Sequence, residues 1–264
     1  MASYSETFNT NFKILKLIGL WNVKTNSVTK NQIYFFYQIF MLLFIALFII
    51  LELFDLYFNR HDFEKFNFNL CSTITTTITL LKTLRGLQRL PEINHLRKNL
   101  NKYAEEETDD ECKKIVGKAA GEMKFLNKLF YGMTGCLITV WLLTPLLDYK
   151  KGARKLPFRQ YFPFELQTSP NYELAYLYQV FSCFILTSNI VSGDLAIFGF
   201  LISISYEYEI LKKKLQKLNE LYEKHENKEV VEKGMNIEEK TLRIIKDVIG
   251  KHQQIILYVS PHWE

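Results

Sequence analysis

Along the chain, charge-free apolar runs alternate with stretches dense in Lys, Arg, Asp and Glu. Residues 33–51 are 19 uncharged positions dominated by Phe, Ile and Leu, and Glu52 and Asp55 mark where the segment leaves the hydrocarbon. The run predicts a first membrane span over 33–58. Residues 66–81 give 16 uncharged positions, about 24 Å of helix against a hydrocarbon core of about 30 Å. This second span, 66–82, is short on its own and contains Ser72, Thr73, Thr75, Thr76, Thr77 and Thr79. Lys65 and Lys82 can snorkel at its ends, and hydroxyls in a membrane helix bond back to the helix or across to a neighbour, so it should face protein more than lipid. Residues 129–147 form a third uncharged run of 19, with Pro145 near its far end, and 174–206 a fourth with one charge, Asp194. The pattern predicts an all-α membrane protein, a multi-span helical bundle with four transmembrane helices in this chain.

The polar segments complete the map. Residues 1–32 carry Phe8, Phe12, Leu15, Ile18 and Leu20 at near-helical spacing, which predicts a short N-terminal helix lying on the inner leaflet or packed on the protein's own cytoplasmic face. Residues 83–128 form a cytoplasmic connector whose acids, Glu105 to Glu107 and Asp109 to Glu111, lack the alternating spacing and glycine of a calcium loop and read as a solvated face. Residues 148–173 form an extracellular loop. Residues 207–264 form a cytoplasmic helical extension with stripes at Leu211, Leu215, Leu218 and Leu221, a break near residues 233–235, and a second stripe from Ile237 to Ile249.

Charge then orients the map. Of the 33 Lys and Arg, 26 lie before the first run, between the second and third, or after the fourth, and 7 in the other two connectors. The excess belongs in the cytoplasm, which places the N-terminus inside. The formal charge of +5 is explained by this anchoring, and no zinc spacing or RNA-binding motif points to nucleic acid. The mean hydropathy of −0.04 conceals the runs by averaging them with the connectors. A signal peptide is a poor account of the first run, which starts too late and lacks a small-residue cleavage site.

Candidate chemistry is sparse. GxSxG, GxxxxGK[ST] and HExxH are absent, the five histidines are scattered without metal-ligand spacing, and Cys71, Cys112, Cys136 and Cys183 form no CxxC pair. No enzyme, metal site or cofactor is expected. Asp194 should sit near the inner interface, within reach of a cytoplasmic Lys or Arg. Thr134, Leu137 and Trp141 share one face of the third span, and Gln179, Cys183 and Thr187 one face of the fourth. Apolar walls with a few polar groups would suit a small volatile ligand.

Residues 156–179, Leu-Pro-Phe-Arg-Gln-Tyr-Phe-Pro-Phe-Glu-Leu-Gln-Thr-Ser-Pro-Asn-Tyr-Glu-Leu-Ala-Tyr-Leu-Tyr-Gln, resemble the outer loop leading into the fourth span of insect odorant receptors. Asp194 with its following apolar run, Leu211, and the His-Gln-Gln-Ile-Ile-Leu-Tyr stretch from His252 are similar to that family's long fourth helix and the cytoplasmic helix beyond it. The resemblance implies seven spans, a cation pore lined by the last of them at the centre of a hetero-tetramer with a co-receptor, and an odorant pocket in the outer half of the bundle. It implies pocket positions at Thr134, Leu137 and Trp141, and at Cys183 and Thr187. It also implies a plasma-membrane protein of olfactory neuron dendrites. Since the sequence stops at Glu264, three spans would lie beyond it, so either a ligand-gated receptor whose chain continues or a truncated, non-conducting subunit is expected. A gustatory receptor shares the topology, and a G-protein-coupled receptor would need the N-terminus outside.

Overall fold

A computed structural model of the chain describes residues 4–21, 27–107, 109–149, 154–226 and Gly250. These contain six helices and, among the described residues, no strand: α1 (Ser5–Leu17), α2 (Val28–Phe58), α3 (Phe63–Gln88), α4 (Leu90–Glu106), α5 (Asp110–Tyr149) and α6 (Asn171–Glu226). The break expected near residues 233–235 and the stripe from Ile237 to Ile249 lie outside the described residues. The chain divides into two compact units. The first comprises Met1–Thr7, Asn94–Lys124 and Phe198–Glu264, and the second Phe8–Ile93 and Phe125–Ile197.

In the second unit, α2 and α3 form an antiparallel hairpin across a four-residue turn, residues 59–62. Asp62 caps α3 by accepting the Lys65 backbone N–H at 3.2 Å, satisfying a donor the first turn would leave bare. The buried face of α2 repeats every three or four residues, from Met41 through Ile45, Phe48 and Ile49 to Glu52 and Asp55. The opposite face carries Phe36, Phe40, Leu43, Leu47 and Leu53, each 45% exposed or more. On α3 the inversion is sharper: Asn69, Thr73, Thr76 and Thr79 are buried, while Ile74, Ile78 and Leu81 are exposed. Polar groups turned inward and a continuous apolar surface turned outward are stable only where the surroundings are hydrocarbon.

α2, α5 and α6 are long and apolar enough to cross a membrane. At 40 residues, α5 is about 60 Å long, roughly twice the hydrocarbon thickness. Its apolar run, 129–147, lies in the second half, and its first half carries most of the charge. α3 has the length, 26 residues, but its hydroxyls keep it below the apolarity of the other three. Those hydroxyls are largely neutralised in place: Thr75, Thr79 and Thr83 each donate to the carbonyl four residues back, at 2.7 to 2.8 Å.

The apolar stripe of α1 is buried within the chain itself, with Phe8, Phe12 and Leu15 at most 6% exposed. The chain turns at Gly19, whose φ of +77° suits glycine and whose Cβ, were one present, would lie 2.8 Å from the Tyr37 ring. Tyr34 and Tyr37 of α2 donate hydroxyl hydrogens to the carbonyls of Lys16, Trp21 and Leu17 at 2.8 to 2.9 Å, closing the helix end. A buried chain of side chains ties α1 down further. The Asn11 amide donates to Asn127, and the Tyr131 hydroxyl, 2.9 Å from Ser192, donates to Asn11.

The first unit packs the start of α5 through Ile115, Val116, Ala119 and Met123, with Leu100 of α4 and Ile210 and Leu211 of α6 also in its core. Glu107, Asp109 and Glu111, read as part of a solvated acidic face, are instead paired with lysines of α6. Glu107 meets Lys214 at 2.8 Å, and Glu111 meets Lys213 at 3.5 Å and Lys217 at 3.6 Å. Asp109 is hydrogen-bonded to Lys217, which holds its carboxyl below the usual carboxylate range.

Candidate functional site

The α2–α3 hairpin, α5, α6 and the loop before α6 line a partly open cavity of about 540 Å³ in the second unit. That volume falls in the range of small-molecule sites. Phe48, Phe68, Trp141 and Phe158 supply aromatic walls, and Leu186 and Ile190 of α6 add aliphatic surface. Phe68 stacks on Trp141 with ring centroids 6.1 Å apart and planes 3° from parallel, and Phe158 lies 5.6 Å from Phe48 and 6.2 Å from Trp141. Polar side chains interrupt this surface along α3, at Asn69, Ser72, Thr75 and Thr76, and on α6 at Cys183 and Thr187.

Glu52 backs the α3 wall. It is fully buried, and its two carboxyl oxygens accept from the Ser72 hydroxyl at 2.5 Å and the Thr76 hydroxyl at 2.8 Å. One turn along, Asn69 donates to Asp55 at 2.9 Å and to the Glu52 carbonyl at 3.1 Å. Glu52, at the end of the uncharged run, is buried within the protein rather than open to solvent, because the hydroxyls of α3 face it and a buried carboxyl needs such partners. Arg159 approaches Asp55 at 3.9 Å from the loop.

The loop is fixed by Gln179, which is fully buried. Its side-chain amide pairs with the backbone of Phe158 as a second peptide would, accepting from the N–H and donating to the C=O, both at 2.9 Å. The same amide donates to Gln160, which in turn donates to the Phe48 carbonyl at 3.3 Å. The Tyr161 N–H reaches the Leu51 carbonyl at 3.1 Å, and the Trp141 indole N–H donates to the Pro157 carbonyl at 3.1 Å. Phe158 and Arg159 are held over the cavity by these bonds.

Of the residues singled out by helical spacing, Trp141, Cys183 and Thr187 line the cavity. Thr134 and Leu137 do not, and Leu137 is 68% exposed. They lie one to two turns from Trp141, about 6 to 10 Å along the axis. A shared helix face fixes direction around the axis and leaves depth open. Gln179, on the same face as Cys183 and Thr187, serves the loop. Glu52, Ser72 and Phe158 escaped the sequence reading; the hydroxyl-rich face of α3 was the signal for the first two. Asp194, expected to find a Lys or Arg, pairs with Lys82 at 3.1 Å, both half-exposed.

The arrangement can enclose a small, largely apolar molecule with one or two hydrogen-bonding groups. No curated protein matches the chain. The family described as 7tm Odorant receptor matches residues 62–260, from the turn before α3 to near the C-terminus. An all-helical membrane bundle with inward-facing polar groups, and a family match over most of its length, lead to one conclusion: the chain belongs to the odorant receptor family.

Proposed function

We propose that this chain is an odorant-binding receptor subunit that takes a small volatile molecule into the cavity beside Trp141. It couples occupancy to a cation channel assembled with a co-receptor as a hetero-tetramer. The observation carrying the binding step is the cavity of about 540 Å³, walled by four aromatic rings and edged by a few hydroxyls. Its ligand is bound chiefly by apolar burial, worth about 25 cal/mol per Å² removed from water, with polar groups setting orientation. Trp141, Cys183 and Thr187 are the ligand-facing residues, and Thr134 and Leu137 act one level further along the bundle. Gating and the co-receptor rest on the family.

The same reading places the chain in the plasma membrane with a cytoplasmic N-terminus and four spans, over 33–58, 66–82, 129–147 and 174–206. α3 crosses although it is less apolar than its neighbours because its polar stripe is matched by Glu52 and Asp55 of α2. With α3 across, 26 of the 33 basic residues fall on one side. A tag at residue 1 accessible only after permeabilisation is the expected result, and one accessible on intact cells would reverse the orientation.

Co-expression with the co-receptor and a panel of volatiles, scored by current, tests the function. Trp141→Ala removes the ring that stacks on Phe68, and at least one response should fall by about tenfold or more in apparent affinity, as for loss of a buried aromatic contact. Unchanged responses across the panel would remove Trp141 from the site.

A further inference from the structure

With the cavity beside Trp141 as the ligand site, as proposed above, the groups at its loop end decide what a ligand must bring. Asn67 of α3 and Arg159 of the loop both line the cavity. A guanidinium carries only N–H donors and a fixed positive charge. The Arg159 Nε–H is buried without a hydrogen-bond partner, because the Asp55 carboxylate it faces stands 3.9 Å away, beyond bonding reach. The rest of the side chain is partly exposed. Asp55 is itself occupied, one oxygen accepting from Asn69 at 2.9 Å and the other from Asn59 at 3.0 Å. Arg159 is therefore near enough to Asp55 for their charges to offset and too far for its donors to be used. Lys65, two residues before Asn67, is paired with Asp62 at 2.6 Å and brings no spare positive charge. The far end of the cavity is hydrocarbon. Gln179 holds Phe158 and so sets the level of the loop on α6. Leu186 and Ile190 line the cavity beyond it, and Ile190 lies eleven positions past Gln179, about 16 Å along the helix.

We infer that the cavity takes neutral carbonyl compounds with an alkyl tail, ketones, aldehydes and esters, the oxygen accepting from Arg159 and the tail lying along Leu186 and Ile190. Arg159 recognises the headgroup, and Asp55 keeps carboxylates out. A carbonyl oxygen brings lone pairs to N–H groups that the protein leaves idle, and it brings no charge. A carboxylate matches the guanidinium fork better in isolation. Asp55 already supplies the negative charge that Arg159 balances, however, and a second one in an apolar cavity stands uncompensated.

The test uses the full chain in lipid nanodiscs at neutral pH, with 2-heptanone, heptanoate and heptane as probes and saturable uptake measured by equilibrium dialysis against empty nanodiscs. On wild type the ketone should bind about tenfold more tightly than heptanoate. Arg159→Met keeps the bulk of the chain and removes every donor. Ketone affinity should then fall about tenfold, as for a lost hydrogen bond to a charged group, with heptane unmoved. Asp55→Asn removes the competing charge and leaves Arg159 in place, so heptanoate affinity should rise about tenfold while ketone affinity holds. A merely structural role for Asp55 would lower both. Unfolding temperature identifies the folded variants, and where one does not fold, the wild-type order and the other variant decide. Heptanoate matching the ketone on wild type, ketone affinity that survives Arg159→Met, or heptanoate affinity that Asp55→Asn leaves unmoved overturns this inference and leaves the cavity a ligand site. No saturable uptake of any probe overturns the site itself, and this inference with it.

Discussion

Glu52 in the second unit receives two hydroxyl hydrogens from Ser72 and Thr76, whereas Glu107 in the first unit, 7% exposed, faces the Lys214 ammonium at 2.8 Å. Both carboxyls are buried, and each is matched by what its surroundings supply. Glu52 directly follows a run of 19 uncharged positions, against a helix rich in Ser and Thr. Glu107 sits among acids faced by the lysines of α6, close enough to water that ammonium groups can remain charged. Neutral hydroxyls keep carboxyl density in place without a counter-charge, at the cost of committing their hydrogens. Ammonium groups neutralise the charge outright and leave an interaction that salt and pH can reach.

The contrast can be broken from either side. The largest effect is expected from the double substitution Ser72→Ala with Thr76→Val, which strands the Glu52 carboxyl without either hydroxyl. The loss should be about 3 kcal/mol, since an unsatisfied buried acceptor costs its full desolvation. Thermal unfolding in nanodiscs reads this directly, and a shift no larger than that of an exposed control would show that Glu52 finds other partners. Lys214→Met should cost about 1 to 2 kcal/mol in the same assay. The pair is mostly shielded, its side chains 17% and 5% exposed, yet lies near enough to water for the orphaned Glu107 to be partly rehydrated.

The smallest effect is the pH response of Asp109. Its carboxyl is held low by Lys217, so its folded pKa lies below the unfolded one. The stability it contributes is complete above the ordinary carboxylate range and is lost as pH falls through the depressed folded value. Hydrogen-exchange protection at the start of α5, taken relative to the intrinsic amide rate at each pH, should be unchanged from neutral pH to mild acid and should fall only below the usual Asp range. Raising the salt from about 0.1 M to 1 M, which shortens the Debye length from about 10 Å to 3 Å, should lower it as well, while α2 and α3 around Glu52 stay unmoved.

Much of the helical architecture was legible because it rests on long charge-free runs and their 3.6-residue faces. The inward set of α3 is the clearest case: clustered Ser and Thr called for a protein neighbour, and Asn69, Ser72 and Thr76 meet α2. The identity of that neighbour was not legible, since an acid at the end of an apolar run looks like the start of water, and the partner of Glu52 lies 20 residues away on another helix. In the candidate site, spacing brought out Trp141, Cys183 and Thr187. It could not separate them from Thr134, Leu137 and Gln179, because depth along a helix and the path of an irregular loop are tertiary facts. Phe158 illustrates the second: it reaches the cavity only because Gln179 holds its backbone in place. The lysines of α6 read as one polar face of an amphipathic helix, and their pairing with Glu107, Asp109 and Glu111 joins positions about a hundred residues apart.

The central claim is that the cavity beside Trp141 holds the ligand, and filling it tests this most directly. Thr187→Phe introduces a ring at the cavity wall, where about 540 Å³ of space can receive it without displacing the core. Saturable uptake of a volatile panel should be measured by headspace depletion over nanodiscs carrying wild type or variant, with unfolding temperature confirming that both are folded. The account predicts at least one volatile that binds wild type saturably and loses about tenfold or more in affinity on filling. Saturable binding that persists undiminished in the filled, folded variant would contradict it.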